Sequence, residues 1–296
     1  MAIDSRATGG RRGWRLAGHV AAAARLTSSV ARLGAARVIA AAGGMQRATL
    51  DLVFPAACAS CEAELSPNVP DRFGIPICDR CLDEMEFIAG PTCARCGAPV
   101  PRIGRSTDEP GADTLRTHGC ARCRGRKMWF DETIAAGLYS NRLREIVLRM
   151  KDANGDALSL TIGSLVWQQC GERLAAIGAD VVAPIPLHWR RRLAHRTNSA
   201  AILSEVLSRK LSLSLAERLL RRRKHTQPQS SVAPSQRWDN VRQAFSVRRG
   251  YHLNQAHVLL VDDILTTGAT CSEAARALRK AGAARITVIV VARAIH

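Results

Sequence analysis

Aromatic side chains make up only 4% of this 296-residue chain, which leaves little material for an aromatic base-stacking platform. Long apolar runs are missing too. No stretch approaches the length that spans a bilayer, so no membrane insertion is expected. Acids are in short supply: 25 Asp and Glu face 43 Lys and Arg, a formal charge of +18. The shortage is uneven. Residues 1–50 carry eight Arg against one acid, residues 51–130 are near balance at −1, and residues 131–296 carry +12. That last excess is matched by 187–251 alone, with fifteen basic and three acidic side chains. So dense a positive field favours a polyanionic partner such as pyrophosphate or nucleic acid. A hydrophobic content of 47% excludes a disordered chain, and the length allows two domains or one large one.

Residues 1–47 contain no acid after Asp4 and are rich in Ala, Arg and Gly. They show no compact apolar core ahead of a cleavage site, so a secretory signal is not expected. The composition resembles an organelle transit peptide. A disordered basic tail, or an upstream start codon ahead of Met45, is the expectation favoured over targeting.

Ten cysteines are enough for a disulfide framework, but eight of them form four CxxC pairs: Cys58/Cys61, Cys78/Cys81, Cys93/Cys96 and Cys120/Cys123. Such pairs are metal or redox signatures of a reducing compartment, which predicts a cytoplasmic protein. Zinc takes four thiolates in a tetrahedron, and each CxxC supplies two. Neither disulfides nor thioredoxin-like pairs need four evenly deployed knuckles. Two structural Zn2+ are therefore expected, the first two knuckles holding one ion and the last two the other, with a cross-brace pairing left open. Two closed four-thiolate sites would lower the charge from +18 to +14 and leave no open position for hydrolytic chemistry. Residues 105–119 form a polar loop inside the second ribbon. Cys170 reads as a core residue. Cys271 reads as a packed thiol at a helix N-terminus, where a lowered pKa is the alternative.

From residue 131 the pattern alternates. ETIAAGLY reads as a strand, followed by a helix through LREIVLRMK. Leu143, Ile146, Val147 and Met150 share one face of that helix, while Arg142, Arg144, Arg149 and Lys151 fall on a solvated basic side. DVVAPIP reads as a strand, LHWRRRLAHRTN as a basic loop and SAAILSEVLSRKL as a helix. In 218–247, Pro228 and Pro234 among Ser and Gln mark a long exposed loop, of the kind that often serves as a lid. ARITVIVVAR closes the chain as a strand. Near-continuous apolar strands separated by helices predict a mostly parallel α/β sheet.

The stretch VLLVDDILTTGAT, residues 258–270, organises the rest. Val258 to Val261 read as a buried strand, with Asp262 and Asp263 at its end. Thr266, Thr267, Gly268, Ala269 and Thr270 form a small-residue turn opening a helix. Backbone N–H groups at such a turn cradle a phosphate. Two carboxylates beside it accept hydrogen bonds from sugar hydroxyls. Together they predict a site for a phosphorylated sugar at the carboxyl edge of a parallel sheet. A bare acidic turn is the plainer reading. The thirteen residues resemble the phosphoribosyl-pyrophosphate (PRPP) motif of type I phosphoribosyltransferases.

Taken with the knuckles, the chain resembles the ComF family from about Leu50 to Arg293. Tyr139, Arg144 and Lys151 resemble that family's hood, and Pro184 to His188 its pyrophosphate loop. Arg222, Lys224, Thr226, Pro228 and Gln229 resemble its flexible loop, and Arg237 with 240–245 its R-x-x-N-V-x-x-A-F segment. Thr197-Asn198-Ser199 departs from the family's aromatic-Asn-Gln run. The resemblance implies a double zinc ribbon (48–130) after a tail (1–47). A type I phosphoribosyltransferase-like domain (131–296) follows, with helices on both faces of its sheet. It implies PRPP with Mg2+ as ligand. Asp262 and Asp263 would serve the ribose, the 266–270 turn the 5′-phosphate, and Arg190, Arg191 and Arg237 the pyrophosphate. It implies either transfer to an unknown acceptor, or a competence factor binding single-stranded DNA, with competence-machinery proteins as partners.

Overall fold

The computed structural model describes residues 56–65, 75–100, 119–187, 198–224, 232–233 and 235–295. The chain divides into two compact units, Met1–Val53 and Phe54–His296, and every described residue belongs to the second. The tail, the 105–118 part of the polar loop and most of the basic loop at 188–197 fall outside them.

Five parallel strands form the main sheet: β1 (Glu132–Leu138), β2 (Val181–Pro184), β3 (Ser214–Leu215), β6 (His257–Leu265) and β7 (Arg285–Arg293). Their order is β1-β7-β6-β2-β3. Strand β6 is apolar on both faces because it is covered on both. Leu259 and Val261 pack with Leu158, Ile162 and Leu165 of helix α3 (Asp156–Ala176) and Leu203 and Leu207 of helix α4 (Ser199–Leu211). Val258 and Leu260 pack with Ala274, Ala275 and Leu278 of helix α6 (Ala269–Lys280). The period-2 alternation of a strand thus divides one apolar run between two cores.

Helix α2 (Asn141–Arg149) buries Leu143, Ile146 and Val147, with Met150 just past its end, as the helical spacing predicts. Its basic side is not simply solvated. Arg142 pairs with Glu84 and Arg149 with Glu62, both beside the first two cysteine knuckles, where the short helix α1 (Asp79–Asp83) also lies. The 21-residue α3 goes beyond the sequence reading. Glycines at 163 and 171 weaken its helical signal, yet Gly163 is where α4 comes close: a Cβ there would sit 3.0 Å from Val206.

The expected long loop at 218–247 is tied down at its ends. Strands β4 (Leu220–Arg222) and β5 (Phe245–Val247) pair antiparallel, and helix α5 (Arg237–Val241) precedes β5. Leu219, Leu220, Val241 and Phe245 are buried, which outweighs the turn-forming composition between them. Residues 225–231 and 234 lie outside the described set.

Candidate functional site

All strands of the main sheet run the same way, so their carboxyl ends share one edge. Strand β2 leads through α4 outward to β3, whereas β6 leads through α6 to β7 on the opposite side. A parallel sheet opens a ligand crevice where its order reverses in this way. Strand β6 runs four residues past the expected end, because β7 pairs with it as far as Leu265. Strand β2 stops at Pro184, opposite Val261. Asp262 and Asp263 therefore lie within the strand, on the stretch that has lost its β2 neighbour.

Asp263 accepts two donors on one oxygen. Lys151 Nζ lies 3.0 Å from Oδ2, and Ser199 Oγ donates to it at 3.2 Å. Asp262 accepts the Asp263 N–H at 3.0 Å and the Cys271 thiol at 3.6 Å. Burial first, and then the Asp263 charge, push the Asp262 carboxyl up to about 7, against the pull of the Asp263 N–H and the Lys151 ammonium. Burial opposes the charge on Lys151, but the Asp263 charge prevails and raises its pKa above the ordinary lysine value. Burial also drives the Cys271 thiol well up, followed by the charge of Asp262. Burial, and after it the carboxylate beside it, keep Cys271 a neutral donor in spite of its place at a helix N-terminus.

Lys151 and Ser199 did not emerge from the sequence as contacts of the acidic pair. Lys151 falls two residues past the end of α2, where helical periodicity assigned it to solvent. Ser199 is the first residue of α4, next to the Asn198 of the departing run.

Beyond Leu265 the chain turns through Thr266 and Thr267 into α6. Gly268 takes φ +82° at the start of that helix, a left-handed conformation that favours glycine. Gly268, at the N-cap of α6, has no side chain to cap it, and Thr267 Oγ1 accepts the Ala269 N–H at 3.4 Å. Thr267, Gly268 and Ala269 are buried, while Thr266 and Thr270 are half-exposed. Arg237 is buried at the start of α5, with Nε donating to the Val232 carbonyl at 3.1 Å. Arg190 and Arg191 lie outside the described residues.

These contacts suit the acidic pair to hydroxyl donors better than to a bare divalent cation, which needs oxygen ligands alone. One oxygen of Asp263 is already committed to an ammonium, and Asp262 resists ionisation.

The cysteines gather as sequential pairs of knuckles. In each of the sets Cys58, Cys61, Cys78, Cys81 and Cys93, Cys96, Cys120, Cys123 the sulfurs lie within 4.8 Å of one another. A tetrahedron with metal–sulfur bonds of about 2.3 Å has edges of about 3.8 Å. The sulfurs of Cys61 and Cys78 are 3.7 Å apart, those of Cys93 and Cys123 3.7 Å, and those of Cys96 and Cys120 3.6 Å. These spacings are far beyond disulfide length and all ten cysteines are free. Backbone N–H groups of Ser60 and Cys78 donate to Cys58 Sγ, and that of Cys120 to Cys93 Sγ. The Cys96 thiol, against burial, and N–H groups of Cys96, Cys120 and Arg95 hold Cys93 down to about 4. The donor set fits structural zinc.

An open cleft of about 570 Å³ lies at the far end of α6, lined by Arg223, Lys224, Phe245, Arg276 and Lys280 among others. Arg276 is neutralised by Glu273. No helix among the described residues is long and apolar enough to cross a membrane.

Residues 49–124 match the double zinc ribbon domain family, and residues 197–296 the phosphoribosyl transferase domain family. Competence protein F of Haemophilus influenzae is 27% identical over 222 residues, covering 74% of this chain and 90% of the relative. The DNA utilization protein YhgH of Escherichia coli is 23% identical over 209 residues, covering 69% of this chain and 84% of the relative. Among solved structures, a glutamine PRPP amidotransferase from B. subtilis is 20% identical with a TM-score of 0.33. That likeness covers 50% of this chain and 30% of the other.

Proposed function

We propose that the phosphoribosyltransferase-type α/β domain of this chain, a member of the ComF family with a double zinc ribbon ahead of that domain, binds PRPP. The observation that carries the reading is the meeting of Asp262 and Asp263 with the turn opened by Gly268, on the sheet edge where the strand order reverses. Ribose hydroxyls would donate to the two carboxylates, displacing Ser199 and Lys151 from Asp263. The 5′-phosphate would take backbone N–H groups and hydroxyls of residues 266–270. Arg190, Arg191 and Arg237 are the proposed partners of the pyrophosphate, and Mg2+ would arrive with that ligand and offset its charge.

Transfer would form a bond from the acceptor's nucleophilic atom to ribose C1 as the bond from C1 to the pyrophosphate oxygen breaks; that electron pair would leave with pyrophosphate and the acceptor's proton would pass to solvent. The positive charge that develops on the ribose ring would lie near the carboxylates. Domain limits of 1–47, 48–130 and 131–296, and a cytoplasmic location, belong to the same proposal.

The basic cleft at the far end of α6 favours a second reading, in which the chain is a competence factor that binds single-stranded DNA and competence-machinery proteins. Arg223 and Lys280 line that cleft, and neither forms an ion pair among the described residues. Calorimetry with PRPP and Mg2+, with and without single-stranded DNA, separates the two. Saturable PRPP binding that is lost in Asp262→Asn with Asp263→Asn supports the first reading; unchanged binding in that double variant removes it. DNA binding that survives the double variant and falls steeply with salt supports the second.

A further inference from the structure

Strand β7 ends on a buried cation that no carboxylate balances among the described residues. Arg293 is 6% exposed and makes no ion pair among the described residues. Its guanidinium donates instead to backbone carbonyls. Nη1 reaches Leu265 O at 2.9 Å, Thr266 O at 2.5 Å and also Ala294 O, while Nε reaches Cys96 O at 2.7 Å. Two of these acceptors, Leu265 and Thr266, lead into the 266–270 turn. A third belongs to a zinc knuckle of the second ribbon. Burying an unpaired charge is costly unless hydrogen bonds and nearby opposite charge offset it. Carbonyl dipoles supply the first. Two groups near it would supply the second: a four-thiolate zinc site, which carries a net charge of −2, and an anion resting on the turn.

The segment just after the second ribbon's last knuckle also touches the turn and the start of α6. The Trp129 N–H donates to Ser272 Oγ in the first turn of α6 at 3.1 Å. Phe130 and Met128 stand 3.6 Å and 3.7 Å from the point where a Gly268 side chain would begin. Around the Cys93 knuckle, Thr133 takes the Ala94 and Arg95 carbonyls at 2.7 Å and 2.8 Å. The first ribbon meets α2 and the end of β1 instead, through Arg142, Arg149 and the Leu138 N–H to Glu86.

We propose that Arg293 is the positioning residue of the 266–270 turn, a buried cation shared with the second ribbon, so that phosphate affinity depends on that ribbon's metal. With the Leu265 and Thr266 carbonyls drawn onto the guanidinium, the N–H groups that follow face the ligand, and positive potential lies beneath them. Loss of the metal frees the Cys96 carbonyl and the knuckle around it, and the turn slackens. The proposal rests on the phosphate reading of the turn for its ligand, but not for its geometry.

The test uses the zinc-loaded full chain, Arg293→Met and Arg293→Lys. Arg293→Lys keeps the charge, but one ammonium cannot span Cys96 O and Thr266 O together, and it serves if Arg293→Met does not fold. Two quantities are read: amide hydrogen exchange across the chain, and PRPP affinity by calorimetry. Exchange at 265–271 is expected to accelerate at least tenfold in both variants while α3 and α4 keep their protection, and PRPP affinity to fall tenfold or more. Wild type stripped of zinc is expected to show the same acceleration at the turn. Unchanged exchange at the turn in both variants overturns the proposal, as does unaltered PRPP affinity where wild type binds PRPP. If wild type binds no PRPP while the exchange pattern responds to Arg293, the positioning role stands and the phosphoribosyl reading falls.

Discussion

Replacing Asp262 with asparagine removes a charge that its surroundings resist. Burial and the neighbouring Asp263 raise this carboxyl from the ordinary 3.8 to about 7, after the partial relief given by the Asp263 N–H, Lys151 and Cys271. At about 1.4 kcal/mol per tenfold change, holding the group ionised well above pH 7 costs the fold about 4 kcal/mol. The folded carboxyl binds its proton more tightly than the unfolded one. Stability therefore falls as pH rises from about 4 to about 7 and levels off above. Of the total, about 2 kcal/mol is expected between pH 5.5 and 8.5. Asparagine escapes this loss. Urea unfolding of zinc-loaded native protein and Asp262→Asn at both pH values measures it, since titrations of groups remote from Asp262 cancel in the difference. The variant's advantage is expected to grow by about 2 kcal/mol toward pH 8.5. An advantage that is constant or shrinks with pH refutes the account. The destabilising charge is one that a ribose hydroxyl would stabilise, which is how a binding site trades stability for function.

Lys151→Met takes away the ammonium 3.0 Å from Asp263. Its side chain is 44% exposed, so solvent limits the loss to about 1 kcal/mol at pH 8.5, with less at pH 5.5 where Asp262 is protonated. Gly268→Ala forces a side chain into φ +82°, although no atom crowds the new Cβ closer than 3.6 Å. Unfolding by urea is expected to show a loss of about 1–2 kcal/mol, and PRPP affinity to fall with it. Elemental analysis of reduced protein is expected to find two zinc per chain. Cys58→Ser is expected to lose one, and a variant that keeps both removes Cys58 from the first site.

Local information was enough for much of this protein. The CxxC spacing announced eight metal ligands, because two residues between cysteines bring their sulfurs to one side of a tight turn. The apolar runs of β6 and β7 announced a buried parallel sheet, and α4 was legible from its first residue to its last. The glycine turn and the helix start after it were legible for the same reason, being contiguous in the chain, whereas the acidic pair, expected where the strand ends, lies within it. Contacts between distant segments were not legible. Lys151 and Ser199 reach Asp263 from 112 and 64 residues away, and helical periodicity says which face a side chain is on but not what meets it. The charged side of α2 read as solvated until the first knuckles covered part of it. In the sequence Arg293 is only the last residue of the strand ARITVIVVAR. Only the folding of Cys96, Leu265 and Thr266 around one guanidinium turns it into the buried cation beneath the turn, because carbonyls 197, 28 and 27 residues away must converge on it.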